Sequence, residues 1–480
     1  MSEYFRACLK KEYYGVYPTS IKFRSSLKNT IYEALKRRQW KETEGDDFDF
    51  NWSEKNYFAS DSDVPFHSLT PQQHVNHFPN NYELTRKDMM YKNLKLFKKE
   101  LERDKRYEEA KSYDFFPLTF HMPSEFTMFV DEYKHSPGTI WIMKPAGKAQ
   151  GKGIFLVTSL NQLYKWKNSL KGGEENAIDE TYVCQRYIYN PLLLGGKKFD
   201  MRVYALVTCY NPLTAYLYRT GFCRFTSFKY SLNPEDLNNN QIHLTNVAIQ
   251  KQSSTYDRQI GGKWYFRELK TYLMGRYSEE QVNSMFDGIQ NIIIKCFYAV
   301  QSVIAKDRHC FEMYGYDILI DENLKPWLIE INSNASLTAS TERDAQTKIK
   351  MLDDLLTIVD LEKIMTGNED QVGGWDIICR GTPIKMNNNC MYKTRLGSFN
   401  NREKQLKQLA KQTASRLANL YMQKKKVLVE IIIFLLILVV LHLVIRKLKK
   451  IIIGIIVMLI NPMHQEEINN FFLYFCIKIN

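Results

Sequence analysis

Apolar residues in the middle of the chain recur with two different periods. Between residues 139 and 335, short apolar runs bounded by turn residues predict β-strands. The runs are Ile140–Met143, Ile154–Thr158, Tyr182–Ile188, Val203–Thr208 and Ala215–Tyr218. From Met285 to Ile304 the apolar residues recur at three- and four-residue spacing instead, which predicts the buried face of a helix. Strands interrupted by a long helix predict an α/β or α+β fold.

Two further elements are predicted from local patterns. The apolar runs Ile318–Ile320 and Trp327–Ile331 enclose Asp321-Glu322-Asn323, which predicts a β-hairpin. Nearer the N-terminus, Lys95–Lys111 is rich in Lys, Glu and Arg and predicts an exposed helix.

The character of the chain changes past Thr366. Residues 401–426 hold eight Lys/Arg and one Glu, and four leucines there can form one apolar stripe, so a basic amphipathic helix is expected. Residues 431–445 then lack any Asp, Glu, Lys or Arg, and Arg446–Lys450 follows. Fifteen residues are short for a bilayer span of about 20. A membrane span, an interfacial or partner-binding helix, and a tail foreign to the working protein all stay open.

Composition narrows the class of protein. The chain has 480 residues, 44% hydrophobic and 25% charged, which is typical of a folded protein with two or three cores. The net charge of +13 favours an acidic partner, although a merely soluble basic protein fits equally well. Nine scattered cysteines and an N-terminus without an apolar signal core predict a reducing compartment and no secretion.

One cluster of polar residues interrupts the predicted hairpin. Glu330 and Asn332 lie two residues apart in an apolar strand and therefore point to the same face. Asp317, on the neighbouring strand, can complete a set of three oxygen donors, which suits Mg²⁺ with phosphates as its remaining ligands. An edge strand with these side chains in water is the alternative.

A glycine-rich loop lies between two predicted strands. It runs from Lys144 to Gly153, carries two more lysines, and offers backbone amides and ammonium groups to a phosphate. It is not a Walker A loop, because the spacing differs and no helix follows. Alone it is weak evidence; together with the carboxylates it indicates a nucleotide site.

Several charged residues lie between the loop and the hairpin. Lys198, Asp200 and Arg202 alternate and so share one strand face, which is either solvated or part of the site. Arg224 is flanked by apolar residues and is expected to have an anionic partner, and Lys263 follows a flexible turn. Neither a Gly-x-Ser-x-Gly elbow nor the protein-kinase motif set occurs in the chain.

At these residues the sequence resembles the tubulin tyrosine ligase-like family, whose fold is ATP-grasp. The resemblance covers roughly residues 20–380 and rests on ordered motifs: Met143-Lys144-Pro145, Gln150–Gly153, Lys198–Arg202, His243–Val247, Tyr314–Asp317 and Trp327–Asn332. Four further segments resemble the polyglutamylases of the ciliary, axonemal branch: Tyr82–Lys87, Asp114–Pro117, Asn190–Leu192 and Val372–Gly374.

The resemblance implies an organisation and a role for each motif residue. It implies an N-terminal subdomain (1–134), central (135–198) and C-terminal (199–365) ATP-grasp subdomains, a basic linker or helix (366–426) and a hydrophobic tail (427–480). The residues implied to bind ATP are Lys144, Gln150, Gly151, Gln185, Arg186, Tyr187, Ile188, Lys198, Phe199, Asp200, Thr245 and Asn246. Asp317, Glu330 and Asn332 would hold Mg²⁺, and Arg224 and Lys263 would contact the incoming glutamate. Lys144, Arg202, Arg224 and Glu330 would be catalytic.

The activity implied is ligation of glutamate to glutamates in the acidic C-terminal tails of tubulin, through an acyl phosphate and an isopeptide bond. A tubulin glycylase of the same family and a non-catalytic microtubule- or membrane-binding scaffold are the alternatives. The expected location is the cytoplasm and cytoskeleton, including cilia, axonemes and basal bodies. Free glutamate and tubulin are the expected partners, nucleic acid is not, and accessory subunits and membrane contact through 427–460 stay open.

One segment departs from the family pattern. After Asn332 the family usually continues Ala-Ser-Pro-Ser-Leu, whereas this chain has Ser333-Asn334-Ala335-Ser336-Leu337. The three predicted metal ligands are nonetheless present, so activity is expected.

Overall fold

The fold combines α-helices with three separate β-sheets. The computed structural model describes residues 21–54, 57, 69–169, 181–254, 263–384, 394–460, 469–470 and 473–474. The chain divides into two compact units, Met1–Ala410 and Lys411–Asn480. All three sheets and every predicted site residue belong to the first unit.

The first sheet is small and entirely parallel. Its strands are β1 (Lys22–Ser25), β2 (Lys41–Glu42), β3 (Phe50–Trp52) and β4 (His74–Val75), in the order β2-β1-β3-β4. The helix Thr30–Arg37 follows β1, and the Asn29 side chain caps it by accepting from the Ile31 amide at 3.2 Å. Its buried face packs against the helix Glu342–Val359, which belongs to the same hydrophobic core.

The second sheet is antiparallel and carries the glycine-rich loop. Its strands are β5 (Thr119–Met122), β6 (Trp141–Pro145), β7 (Phe155–Val157) and β8 (Tyr182–Arg186), in the order β5-β8-β6-β7. The helices Phe126–His135 and Leu160–Ser169 bury apolar residues against it. The loop joins β6 to β7, as the sequence predicts.

The third sheet has ten strands and forms the centre of the unit. They are β9 (Leu193–Leu194), β10 (Lys197–Tyr210), β11 (Leu213–Tyr218), β12 (Phe222–Phe225), β13 (Lys263–Tyr265), β14 (Glu312–Ile320), β15 (Pro326–Asn332), β16 (Gln371–Val372), β17 (Trp375–Arg380) and β18 (Thr382–Pro383). The long strand β10 pairs with β11 and β12 and also with β14, and β14 pairs antiparallel with β15. The predicted hairpin is therefore β14–β15.

Helices pack against the third sheet. The helix Glu279–Val300 buries Met285, Phe286, Ile289, Ile293 and Phe297, which confirms the periodicity seen in the sequence. Among the described residues before Arg402, the other helices are Tyr82–Thr85, Lys87–Arg103, Tyr107–Lys111, Asn240–His243, Val247–Gln250 and Phe266–Met274.

The predicted exposed helix Lys95–Lys111 is wrong in its bounds and in part of its exposure. The structure has two helices, Lys87–Arg103 and Tyr107–Lys111, separated by Lys105 in the left-handed region with φ of 60°. Met90, Tyr91, Leu94 and Leu101 are buried in the main core, because the helix begins eight residues earlier than its charged stretch indicates.

The last long element is the helix Arg402–Ile460, which contains the predicted basic segment. Its first turn is held in the first unit, where Arg402 Nε donates to Asp354 at 2.7 Å and Arg402 Nη2 to Asp353 at 2.5 Å. The helix is long and apolar enough to cross a membrane, and its side chains from Lys424 to Lys450 are exposed.

Candidate active site

Charged residues from five neighbouring strands form one row across the third sheet. Lys263 on β13 is in register with Arg224 on β12, and Arg224 is in register with Asp200 on β10. Arg202 lies two residues beyond Asp200 on β10. It is in register with Asp317 on β14, and Asp317 is in register with Glu330 on β15. The sheet therefore places six of the predicted residues side by side, and two cavities lie over this row.

The first of these two, the upper cavity, lies between the row and the second sheet. It has about 710 Å³ of empty space, part of it open to solvent. Two buried lysines enter it. Lys144 Nζ donates to Gln185 Oε1 at 2.6 Å, and Gln185 is fixed in turn by Thr119 at 2.9 Å. Lys198 Nζ donates to the Tyr187 hydroxyl at 3.0 Å and to the His243 carbonyl at 2.9 Å.

The pKa values of both lysines are lowered. Burial lowers the pKa of Lys144 to about 8, against the opposing attraction of Glu330. Burial, reinforced by the nearby charge of Lys144, lowers the pKa of Lys198 to about 7. Two ammonium groups held in a buried cavity at this energetic cost indicate a site for an anionic ligand.

The centre of the row is a network of two arginines and two aspartates. Arg202 donates to Asp317 at 2.5 and 3.1 Å. Arg224 donates to Asp317 at 2.6 Å and to Asp200 Oδ1 at 2.8 Å. Burial alone would raise the pKa of Asp317, but the two guanidinium groups outweigh it and hold that pKa well below its usual range. The anionic partner predicted for Arg224 is thus within the protein.

Glu330 and Asn332 lie at the end of the row on β15. Asn332 Nδ2 is 3.3 Å from Glu330 Oε1, so the two side chains share a face, as predicted. Lys87 Nζ lies 3.2 Å from Glu330 Oε2 and 3.1 Å from the Lys148 carbonyl. Lys87 thereby joins the helix Lys87–Arg103 to the glycine-rich loop.

Asp317, Glu330 and Asn332 offer two carboxylates and an amide oxygen from paired strands, and this all-oxygen set fits Mg²⁺. In the described parts of the chain, no three His, Cys, Asp or Glu side chains form a metal cluster. A cation bound here would therefore depend on the Asn332 amide and on further oxygens from phosphate or water.

The glycine-rich loop borders the lower cavity through Ala149 and Gln150. Gln150 and Gly151 both have positive φ, 63° and 80°. A Cβ at Gly151 would lie 2.5 Å from Ile249 Cδ1 and 3.1 Å from Asn246 Oδ1, so another residue there would push the end of Ile249 aside and would also be strained by the positive φ. Thr245, Asn246 and Ile188 line the upper cavity.

The second cavity, the lower cavity, adjoins the upper cavity at Arg224, Asn246 and Glu330. Lys263 Nζ donates to Asp344 Oδ2 at 2.7 Å, and Lys348 Nζ lies 3.3 Å from the same oxygen. The altered family loop borders this cavity through Asn334 and Ser336. Asn334 Nδ2 donates to the Glu54 carbonyl at 2.6 Å, which holds the altered loop against the N-terminal part of the chain.

One predicted residue lies outside both cavities, and another reaches only the rim. Phe199 lies in the main core against Phe225, because it alternates with Lys198 and Asp200 along β10 and so faces the other side of the sheet. Arg186 borders the upper cavity, but its side chain is exposed and pairs with Glu132 at 2.8 Å.

Two site residues were missed by the sequence analysis. Lys87 is the first residue of its helix, where the helix dipole disfavours a cation, so an acidic partner could have been inferred. Lys348 lies on the helix Glu342–Val359, more than 80 positions after Lys263. In the sequence, its i,i+4 spacing from Asp344 is that of an ordinary surface pair.

Comparison with known proteins identifies relatives of this chain. The sequence model of the tubulin-tyrosine ligase family matches residues 66–368. The chain is 41% identical over 429 residues to a Bos taurus protein named "Probable tubulin polyglutamylase TTLL9", covering 81% of this chain and 92% of that protein. It is 40% identical over 369 residues to the Caenorhabditis elegans "Probable tubulin polyglutamylase ttll-9", covering 76% and 87%. It is 47% identical over 329 residues to the Tetrahymena thermophila "Probable alpha-tubulin polyglutamylase Ttll1", covering 65% and 79%.

Proposed function

This chain belongs to the tubulin-tyrosine ligase family, and we propose that it is a tubulin polyglutamylase that ligates glutamate to the acidic tails of tubulin. The observation that carries the proposal is the row of Lys263, Arg224, Asp200, Asp317 and Glu330 across one sheet, beside two buried lysines. Relatives at 40–47% identity that are named polyglutamylases support glutamate as the added residue.

We propose ATP as the ligand of the upper cavity and ATP-grasp as the fold that encloses it. Lys144 and Lys198 supply positive charge there, and the glycine-rich loop borders the adjoining lower cavity through Ala149 and Gln150, from which its backbone amides can turn toward a phosphate. Tyr187 and Ile188 line the part of the cavity nearest β8, where a flat apolar base can lie. Excess positive charge beside an apolar slot is the arrangement that a nucleotide needs.

The charge count of the upper cavity agrees with a polyphosphate ligand. Lys87 and Lys144 face Glu330, a carboxylate outside the arginine network, whereas Lys198 is attracted by Asp200, which Arg224 already neutralises. Asp317, Glu330 and Asn332 would hold Mg²⁺, which as a Lewis acid would neutralise developing charge on the transferred phosphoryl group. Phosphates would supply the remaining oxygens.

The residues of this chain then act by position and charge. Transfer of the terminal phosphoryl group from ATP to a tubulin side-chain carboxylate gives an acyl phosphate and ADP. The amine of free glutamate attacks the acyl carbon, phosphate leaves, and the amine loses its proton as the isopeptide bond forms. Lys144 and Lys198 stabilise the phosphate charge, and Arg202 and Arg224 fix Asp317 in place.

Mass spectrometry of tubulin tails is the direct test of this function. Full-length protein is incubated with microtubules, ATP and an equimolar mixture of amino acids, and added glutamate masses are expected on the tails. Addition of glycine alone would replace the proposal with a glycylase. The absence of any added residue, with microtubule binding retained, would favour a scaffold.

Nucleotide binding should depend on pH. Because the pKa of Lys198 is about 7 and that of Lys144 about 8, both lose their charge as pH rises, and the affinity for ADP should fall by about tenfold or more between about pH 6.5 and about pH 9. Within that range, where the free lysines are partly deprotonated, binding should also draw protons onto them. Calorimetry in buffers of different ionisation enthalpy measures both quantities.

Lys198→Met should remove the part of this dependence that lies near pH 7 and leave the part near pH 8 that belongs to Lys144. Lys197→Met is the matched control, since Lys197 is adjacent in sequence but points to the other face of β10. A pH-independent affinity in the wild-type protein would show that these ammonium groups do not contact the phosphates.

We propose that the helix Arg402–Ile460 anchors the protein to a lipid bilayer. Apart from His442, residues 431–445 are apolar on every side of the helix, unlike the one-sided stripe of a coiled coil. Residues 427–445, which include Glu430 near one end, span about 28 Å, close to the hydrocarbon core of about 30 Å. Lys424–Lys426 and Arg446–Lys450 flank the apolar segment with cations suited to lipid phosphates.

The full chain should therefore float with neutral phosphatidylcholine vesicles even in high salt, and a chain ending at Lys426 should not. A variant with Leu435→Asp and Val439→Asp should also fail to float, since each buried charge costs about 3 kcal/mol in the bilayer. Equal flotation of the truncated chain would contradict the anchor. Binding only to anionic vesicles and only at low salt would assign the contact to the basic segment instead.

A further inference from the structure

A chain of three hydrogen bonds behind the upper cavity ends on Lys198. It begins at the Asp236 carbonyl, which lies 3.1 Å from His243 Nε2. His243 Nδ1 lies 3.0 Å from the Tyr187 hydroxyl, and that hydroxyl accepts from Lys198 Nζ at 3.0 Å. His243 is 2% exposed, so its two ring nitrogens depend on protein partners for their hydrogen bonds.

The two ends of this chain determine the position of every proton between them. A backbone carbonyl can only accept, so His243 Nε2 carries a hydrogen. An ammonium group can only donate, so the Tyr187 oxygen accepts from Lys198 and its own hydrogen points to His243 Nδ1. Nδ1 is then an unprotonated acceptor, and the imidazole is neutral. Burial and the charge of Lys198 lower the pKa of His243, against the hydrogen bond and charge of Asp236, which agrees with a neutral ring.

Two aromatic rings fix the plane of the imidazole. The ring centroids of Tyr187 and Tyr230 both lie 5.8 Å from that of His243, at interplanar angles of 78° and 83°. The Tyr230 hydroxyl donates to a backbone carbonyl at 2.9 Å and so does not compete for Nδ1. The titratable and charged groups that face the imidazole are Tyr187 on β8, Lys198 on β10, and Tyr230 and Asp236 between β12 and the helix Asn240–His243.

His243 contacts Lys198 a second time through its backbone. It is the last residue of the one-turn helix Asn240–His243, where a carbonyl has no donor within the helix. Lys198 Nζ donates to this carbonyl at 2.9 Å. Together with the Tyr187 hydroxyl, the carbonyl uses two of the three N–H donors of the ammonium group. The third is left for a ligand in the upper cavity, which Lys198 lines.

We propose that His243 is a positioning residue, which acts as a neutral acceptor for the Tyr187 hydroxyl and thereby orients the Lys198 ammonium group toward a phosphate of the nucleotide. This inference rests on the proposed ATP site and deepens it. A histidine that only filled the core would pack equally well in either tautomer. It would also leave the direction and the charge of Lys198 unaffected.

Nitrogen NMR of the full-length protein labelled with ¹⁵N-histidine tests the link without any nucleotide. The signals of His243 are those lost in His243→Asn. Nδ1 should be unprotonated and Nε2 protonated, and the ring should still be mainly neutral at about pH 6.5, where an ordinary histidine is half charged. The Nδ1 signal should shift in Lys198→Met and not in Lys197→Met. A proton on Nδ1, or a signal that does not respond to Lys198, would overturn the inference.

Calorimetric binding of ADP measures the consequence for the nucleotide. His243→Leu should weaken ADP binding by about tenfold, since it leaves the buried Tyr187 hydroxyl without its acceptor. The part of the pH dependence near pH 7 should also move to lower pH, because the ammonium form of Lys198 loses support. His243→Asn should restore the affinity to within about threefold, since its Oδ1 replaces Nδ1 as an acceptor.

Tyr187→Phe, which keeps the ring and removes the hydroxyl, should weaken ADP binding to a similar extent. Combined with His243→Leu it should cause no further loss, because both changes break the same chain. His135→Asn is the matched control, since His135 is exposed at the end of the helix Phe126–His135, and it should leave ADP binding unchanged.

Two outcomes would make His243 a purely structural residue. One is full additivity of His243→Leu and Tyr187→Phe, and the other is an equal loss of ADP affinity and melting temperature in His243→Leu and His243→Asn. Failure of the proposed function gives a different result. A wild-type protein that binds no ADP, but whose Nδ1 signal responds to Lys198, would refute the ATP site and leave the positioning of Lys198 by His243 standing.

Discussion

Replacing Glu330 with Gln is expected to lower the rate of ligation by about 10²–10³-fold while microtubule binding persists. Glu330 is the one carboxylate that faces Lys87 and Lys144, and it is also a proposed Mg²⁺ ligand. The substitution keeps the shape of the side chain but removes its charge. The effect should therefore fall on stabilisation of the phosphoryl group in the transition state, and the proposed binding surfaces should be unchanged.

The measurement is the initial rate of glutamate addition to tubulin, followed by mass spectrometry, with microtubule co-sedimentation in parallel. Glu322→Gln is the matched control, because Glu322 is exposed at the turn of the same hairpin and contacts Asn190 at 3.0 Å, away from both cavities. A rate in Glu330→Gln within about threefold of wild type would remove Glu330 from the chemistry. It would also strengthen the scaffold alternative.

The β14–β15 hairpin shows what the sequence determines well. Its apolar runs, its turn and the shared face of Glu330 and Asn332 all follow from a period of two residues, and the structure confirms each of them. The same period explains why Lys198, Asp200 and Arg202 share one face of β10, where the first two line the upper cavity and Arg202 lines the lower one. It also argues against a side-chain role for Phe199, which the motif resemblance had included.

Contacts between distant segments could not be read from local patterns. Lys87 reaches Glu330 across more than 240 positions, and the helix that carries it was predicted eight residues too late because the charged stretch was taken as its start. Lys348 approaches Lys263 only because the helix Glu342–Val359 packs beside β13. Such pairings depend on tertiary packing, which spacing in the sequence does not encode.

The arginine network identifies a partner that the sequence left unnamed. Arg224 was expected to have an anionic partner, and the structure shows two, Asp200 and Asp317. Its charge is therefore compensated before any ligand binds, and its contact with glutamate stays a prediction from the resemblance. The residues with uncompensated charge are lysines, in both cavities, and they determine where anions can bind.

Asp317→Asn is expected to lower the free energy of unfolding of the first unit by about 3–5 kcal/mol. Asp317 is 1% exposed and accepts hydrogen bonds from both Arg202 and Arg224. The amide is nearly isosteric, but it leaves two buried guanidinium groups with only Asp200 for compensation. Urea unfolding followed by tryptophan fluorescence, on chains ending at Lys426, measures the difference. Asp114→Asn is the control, since its pair with Lys98 is exposed and should contribute less than about 1 kcal/mol.

The pH dependence of that difference separates charge from packing. Because the guanidinium groups hold the pKa of Asp317 below its usual range despite burial, its charge stabilises the folded state at every pH above the unfolded value of about 3.9. The stability gap between wild type and Asp317→Asn should thus stay constant from about pH 7 to about pH 5 and narrow only below about pH 4. A gap that persists unchanged into acid would mean that the amide disturbs packing, and the network would not be held together by charge.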